Sequence, residues 1–410
     1  MPRLLSLACA FGVWMLVETH LGWIGKLEPL GLVAMVGISA LFGLRWSLPR
    51  DRRPWEATGL GTFLIPLIFY TAWMGLFGGV RLWQGWELPA ILSVWIGLVP
   101  WLVIQFPFRY GEAALLGLTG RASWEFALRQ TTGLLLGILP LALVAQGWDL
   151  GHALLPDEPV TVPQKMLGFL IEFGVPVAVL PMVILVIPRL LGAVPNTEPR
   201  WQAAAAGLWR GRGRAPRVLF WPTHGLISNA VAIGFGPRKW VLLSDRLLLR
   251  LHEHEIEAVL AHELSHLRRG HALSLVAGIL GATFASAALL QALVPRSEEI
   301  PLGLALCALV PGLLLFVPAS RTFEMQADLD AAGAGAAYET GLVGALSLLG
   351  MHAPRLALRH LPGAKRLAEI SRCAADPARA GGWHRRARAW RTGLRALFLA
   401  GIAAGGLAGI

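Results

Sequence analysis

Long apolar runs alternate with short polar intervals along most of this chain. The runs fall at about 4–23, 27–44, 57–79, 89–108, 132–155, 166–188, 272–294 and 301–318, with a shorter glycine-rich run at 396–410. Each of the first eight approaches the ~20 residues that a helix needs to cross a bilayer. The pattern predicts a mainly α-helical, multi-span membrane protein. The ninth run can span, lie in the interface or pack on other helices. One long interval, 196–271, breaks the series. It contains three strand-like stretches, at 218–221, 229–235 and 239–243, the last two joined as a tight hairpin across Gly236-Pro237. Ser244 or Asp245 can cap a helix after them. Ile256, Val259, Leu260 and Leu264 then recur at helical spacing and would bury one face, and Gly270 would end that helix. After 318 the pattern predicts one or two helices of small residues, followed by an arginine-rich segment from Arg355 to Arg395 that would lie against the lipid surface.

The composition agrees with the membrane reading. Hydrophobic residues make up 55% of the chain and charged residues 15%, against about 25% charged in soluble domains; the mean hydropathy is +0.58. The net charge of +11 also suits a nucleic-acid binder. The arginines, however, lie in loops between apolar runs, and no recognition motif accompanies them, so no nucleic acid is expected as a partner. Basic residues concentrate after the second, fourth, sixth and eighth runs, including Arg50, Arg109, Arg210 and Arg366. That alternation predicts a cytoplasmic N-terminus and puts 196–271 and the segment after 318 on the cytoplasmic side. Cys9, Cys307 and Cys373 have neither metal-site spacing nor a disulfide framework. The stretch before Cys9 is too short for a signal-peptide core, which predicts a retained first helix. Glu172, inside the sixth run, is a functional candidate because an ionisable group is costly there.

The chemistry concentrates in His262-Glu263-Leu264-Ser265-His266. Histidines four apart stand one turn apart on one helical face, where two ring nitrogens can share a tetrahedral zinc ion. Glu263 projects beside the pair and can act as general base toward water. A third ligand is needed. His271 is one residue out of register for the histidine of the longer zinc-protease pattern, and reads as a polar residue at a helix end. Glu324 and Asp328, again four apart on one helical face, are better placed: glutamate as ligand, aspartate as the acceptor that orients a ligating histidine.

Together, His262–His266 and the later Ser320-Arg321-Thr322-Phe323-Glu324-Met325-Gln326-Ala327-Asp328 resemble the integral-membrane zinc metalloproteases that include HtpX and the type I CAAX prenyl endopeptidases. The family pairs H-E-x-x-H with S-R-x-x-E-x-x-A-D across two membrane spans. Asn229-Ala230-Val231-Ala232-Ile233-Gly234 is similar to its N-A-x-A-x-G edge strand. The resemblance covers roughly 215–335. It implies one zinc ion per chain held by His262, His266 and Glu324, with Glu263 catalytic and Asp328 behind the ligands. It also implies a substrate strand bound along Asn229, Ala230 and Ala232. Family members often carry a His-Pro segment and a following arginine that contact substrate or the transition state; here the resemblance assigns them to His384 and Arg388, without the proline.

The expected fold is thus polytopic membrane helices with a cytoplasmic α+β zincin-like domain containing a small sheet. Its parts would be an N-terminal transmembrane region of about six spans (1–190), the first half of the protease domain (191–271), two spans (272–318), the second half (319–392) and a short apolar end (393–410). The expected function is a zinc metalloendopeptidase in the cell membrane, acting on protein or peptide substrates. A non-catalytic zinc-containing membrane scaffold and, less in keeping with the scarcity of ionisable residues in the spans, a metal transporter are the alternatives.

Overall fold

A computed structural model describes residues 90–115, 117–131, 184–225, 227–293, 310–350 and 363–409, with a few isolated positions between 161 and 178. The chain divides into two units, Met1–Val183 and Ile184–Ile410. Among the described residues, no helix is long and apolar enough to cross a membrane. The runs expected at 4–23, 27–44, 57–79 and 132–155, most of the one at 166–188, and Glu172, Cys9 and Cys307 lie outside the described residues.

In the first unit a helix runs over Ala90–Leu115 with Pro100 and Pro107 inside it. It continues past the expected end at 108, which corrects the placing of Arg109 in a charged loop. Arg109 is 2% exposed, and its guanidinium donates to Gln105 Oε1 at 3.2 Å one turn back. A buried guanidinium is tolerated only where acceptors meet it. Helical residues 120–131 follow, with Arg121 donating to Glu125 at 2.8 Å.

The second unit opens with β1 (Val194–Pro195) and α1 (Pro199–Leu208), neither of which the apolar pattern predicts. Then come β2 (Arg217–Trp221), β3 (Ala230–Phe235) and β4 (Arg238–Ser244), within a residue of the expected strands. The sheet order is β1-β2-β4-β3. β2 and β4 run parallel and the other pairs are antiparallel, so β3 is an edge. Gly236, at φ 57°, makes the tight turn between β3 and β4.

Ser244 caps the next helix, α2 (Asp245–Arg250), by accepting from Leu247 N–H. Asp245 instead accepts the backbone N–H groups of Thr223 and Gly225, both at 3.0 Å, and ties the loop after β2 to the helix start. The chain turns at Leu251 and starts again at His252, so the expected single helix is two. In α3 (Glu253–Arg269) the Glu255 carboxylate reaches back to the His252 N–H at 2.8 Å. Gly270, left-handed at φ 67°, ends α3 as expected.

Helix α3 is buried on two sides. Ile256, Val259, Leu260 and Leu264 pack with Trp201 of α1 and Val241 and Leu243 of β4. Ala258 and Ala261 face Met325, Leu342, Leu346 and Ile370. These belong to α5 (Val310–Ala332), α6 (Ala336–Gly350) and α7 (Gly363–Ala375). Each fully buried leucine or isoleucine is worth about 1.5–3 kcal/mol, so α3 is held as a rigid central element.

Helix α4 (His271–Leu293) packs along the final helix α8 (Pro377–Gly409). The crossing is close because glycines line it: a Cβ on Gly281 would fall 2.5 Å from the Phe398 backbone, and one on Gly401 2.4 Å from the Gly281 carbonyl. The described part of the ninth apolar run lies in α8 and takes part in this crossing. Helices α7 and α8 are joined by Glu369, which accepts from Arg379 Nε at 2.6 Å and from Trp383 Nε1 at 2.9 Å.

Candidate active site

Two helices bring the ligand set together. The burial of α3 aims His262 and His266 at α5, and α5 presents Glu324 one turn before Asp328. Instead of opening a new helix, these acids continue the one that includes the described end of the eighth apolar run, from Val310. His262 Nε2 and His266 Nε2 are 3.2 Å apart. Glu324 Oε2 is 3.6 Å from His262 Nε2, and Oε1 is 3.6 Å from His266 Nε2. The edge of a tetrahedron with metal–ligand bonds of 2.0–2.1 Å is about 3.3 Å. The two nitrogens and the Glu324 carboxylate therefore form one face of a site that can hold a metal ion.

The two histidines are supported differently. His262 Nδ1 lies 2.9 Å from Asp328 Oδ1. Asp328 is fully buried and also accepts from Arg366 Nε at 2.7 Å, with a second bond from Arg366 Nη2. Burial pushes the Asp328 carboxyl up, but the guanidinium and the His262 ring hold it below the usual carboxylate range. Burial likewise opposes protonation of His262, yet Asp328 and Glu324 raise the ring to about 10 in the metal-free site. His266 has a neutral neighbour: its Nδ1 is 3.0 Å from His271 Nδ1. Burial pushes His271 down to about 4, which keeps it uncharged.

A cavity of about 190 Å³ opens over the ligand atoms, lined among others by Asn229, Ala230, Ala232, Glu263, Glu324 and Arg366. The edge strand β3 forms one wall. Ala232 N–H points away from β4 and donates to Glu263 Oε2 at 2.8 Å. The carboxylate next to the ligand pair is therefore held by the same strand edge for which the family resemblance implies substrate binding.

The structure brings together His262, Glu263, His266, Glu324, Asp328, Asn229, Ala230 and Ala232. Among the described residues, neither His384 nor Arg388 lines the cavity. His384 Nδ1 is 3.0 Å from Gln326 Nε2 of α5, and Arg388 is exposed on α8. The basic group that does line the cavity is Arg366 on α7, which the sequence suggested only as one of several loop arginines. A usable signal was present: Arg366, Glu369, Ile370 and Cys373 share a helical face, and an arginine on a buried face requires a carboxylate partner. His271 also differs from its expected place at a wet helix end, being 1% exposed and stacked on Phe323 at 4.5 Å between centroids.

Comparison with known proteins finds similarity over the segment that carries this geometry. Residues 218–374 match the family model for Peptidase family M48. They contain every ligand atom described above. A protein named Protease HtpX homolog, from Desulfatibacillum aliphaticivorans, is 30% identical over 159 residues, which cover 34% of this chain and 49% of the relative. The chain thus spans about half the length of that curated relative. No solved structure matches the chain.

Proposed function

We propose that this chain is a membrane-embedded, zinc-dependent metalloendopeptidase that cleaves protein or peptide substrates, in quality control or processing of membrane proteins, with its active site on the cytoplasmic side. The observation that carries the reading is the triangle of two imidazole nitrogens and one carboxylate oxygen, with a further carboxylate, Glu263, beside it in an open cavity. A nitrogen-rich set with one carboxylate suits zinc, and three protein ligands leave a position open, as in catalytic rather than structural sites. When bound, zinc supplies a Lewis acid that polarises a carbonyl and makes water more acidic.

The residues divide the remaining work. An extended substrate adds to the free edge of β3 as a further strand. In doing so it takes over the Ala232 N–H, which releases the Glu263 carboxylate toward water. Glu263 accepts the water's proton as the oxygen attacks the peptide carbonyl, and delivers it to the leaving amine. Asp328 keeps His262 oriented through Nδ1. Arg366 neutralises Asp328 in the buried shell and lies 3.9 Å from Glu324 at the cavity wall.

Glu263→Gln tests the reading. It keeps the shape and the metal ligands but removes the base. Retained metal content with cleavage slowed ~10²–10⁴-fold is expected. Cleavage at the wild-type rate would rule out the assigned role of Glu263. A wild-type protein that binds zinc but releases no chelator-sensitive fragments from unfolded membrane-protein substrates would favour the scaffold reading. Metal flux in vesicles would favour a transporter.

A further inference from the structure

Behind His266 a line of polar side chains runs through the protein to its last helix. His266 Nδ1 meets His271 Nδ1 at 3.0 Å. His271 Nε2 meets Gln326 Oε1 at 3.0 Å. Gln326 Nε2 meets His384 Nδ1 at 3.0 Å, and Arg391 also donates to Gln326 Oε1. His271 and Gln326 are each 1% exposed, and the bond between them is buried. Polar groups in such a place are retained only when their donors and acceptors match.

The chemistry of the groups fixes the direction of every bond. His266 offers Nε2 to the cluster of ligand atoms, so its proton is on Nδ1. His271 Nδ1 must then accept, which places the His271 proton on Nε2. That N–H donates to the only acceptor atom of the Gln326 side chain, Oε1, which Arg391 also engages. The Gln326 amide nitrogen must donate, so His384 accepts through Nδ1. No other assignment satisfies all four groups. Ring stacking of His271 on Phe323, parallel to within 2°, fixes the imidazole plane along this line.

We propose that His271 and Gln326 are positioning residues for the metal centre: they form a neutral relay that locks His266 in its ligating tautomer and anchors it to α8 through His384 and Arg391. This rests on the metallopeptidase reading and deepens it. The two ligand histidines then differ by construction. His262 leans on a buried anion, Asp328, and His266 leans on an uncharged imidazole. The first arrangement raises ligand basicity, and the second orients the ring without adding negative charge beside the metal. It also gives His384 a task outside the cavity and gives α8 a part in the site.

Zinc affinity measured by competition with a chelating dye tests this, together with the visible absorption of the cobalt-substituted protein. His271→Phe keeps a ring to stack on Phe323 but can neither accept from His266 nor donate to Gln326. Its zinc affinity is expected to fall ~10–100-fold, with an altered cobalt spectrum. His271→Asn restores an acceptor close to the Nδ1 position and should recover most of the affinity and the wild-type spectrum. Gln326→Leu should weaken binding by itself, yet add little on top of His271→Phe, because both break one relay. Wild-type affinity in His271→Phe would overturn the proposal, as would His271→Asn binding no better than His271→Phe. Melting of the metal-free variants, with and without the substitution, separates unfolding from loss of orientation: an affinity loss in a variant that melts with the wild type supports the relay. The underlying reading fails separately, if the wild-type protein itself takes up no zinc.

Discussion

Asp328→Asn puts the electrostatics of the site to its hardest test. Asp328 is fully buried between Arg366 and His262. The substitution keeps the shape but removes the charge, and the new amide must turn its NH₂ toward either the guanidinium or the ring N–H. Arg366, with only 11% of its side chain exposed, then faces Glu324 at 3.9 Å and the charge of Glu263, without its closest partner. Removing one partner of a buried pair costs about 3–5 kcal/mol. In a domain of this size each kcal/mol moves the melting temperature by roughly 2–4 °C, so the metal-free variant should melt about 10 °C lower. Arg366→Met should lose a similar amount for the mirror-image reason. The double variant, Asp328→Asn with Arg366→Met, leaves no unpaired ion and should recover to within about 5 °C of wild type, since a neutral replacement for a buried pair is often tolerated. The assay is thermal melting of all four metal-free proteins as a double-mutant cycle. A double variant that loses the sum of the two single losses would refute the reasoning. Zinc affinity should stay reduced ~10–100-fold in the double variant, because His262 lacks its acceptor there whatever the stability.

Further expectations follow from other parts of the fold. Asp330 accepts from Ser265 Oγ at 2.6 Å and pairs with Arg268 and Arg269 at 2.7 and 3.0 Å. Burial raises its carboxyl, but these partners bring it down to about 2 from 3.8. A depressed acid stabilises the fold above its unfolded pKa, so about 2 kcal/mol is present above pH ~4 and lost as the pH falls toward 2; Asp330→Asn should flatten that part of a pH–stability curve. For His262 the sign is reversed: with the ring raised to about 10 from 6.5, its contribution to the metal-free fold is complete below 6.5 and lost as the pH rises through 10. Since a ligating histidine must be neutral, zinc uptake near pH 7.5 should release a proton, read from the buffer dependence of the calorimetric heat. Gly281→Ala forces a Cβ into the Phe398 backbone and should destabilise by about 1–3 kcal/mol, whereas Gly207→Ala, with open space around it in α1, should be neutral or stabilising by up to ~1 kcal/mol in the same melting assay.

Some of this molecule could be read from the chain directly, because the information is local. Spacing of four residues put His262 with His266, and Glu324 with Asp328, on common helical faces, since the α-helix repeats every 3.6 residues. Alternation marked β3, short apolar runs bounded by turn residues marked β2 and β4, and the glycines marked the end of α3 and the β3–β4 turn. The ligand set His262, His266 and Glu324 was therefore available before any coordinates, with Glu263 beside it.

What only the tertiary structure decided concerns partners drawn from different elements. Nothing local says that Arg366 answers Asp328, that His271 turns inward to His266, or that Gln326 joins both to His384 and Arg391. Arg109 and Arg366 both look like loop charges in the sequence, and both are buried in the fold. The two β1 residues are too few to show a period, and the glycines of α4 and α8 acquire their meaning only when the helices cross. A one-dimensional pattern fixes which face of a helix is apolar and which carries chemistry. The pairing of buried polar groups across elements depends on distance in space, and that is set when α3, α5, α7 and α8 pack together.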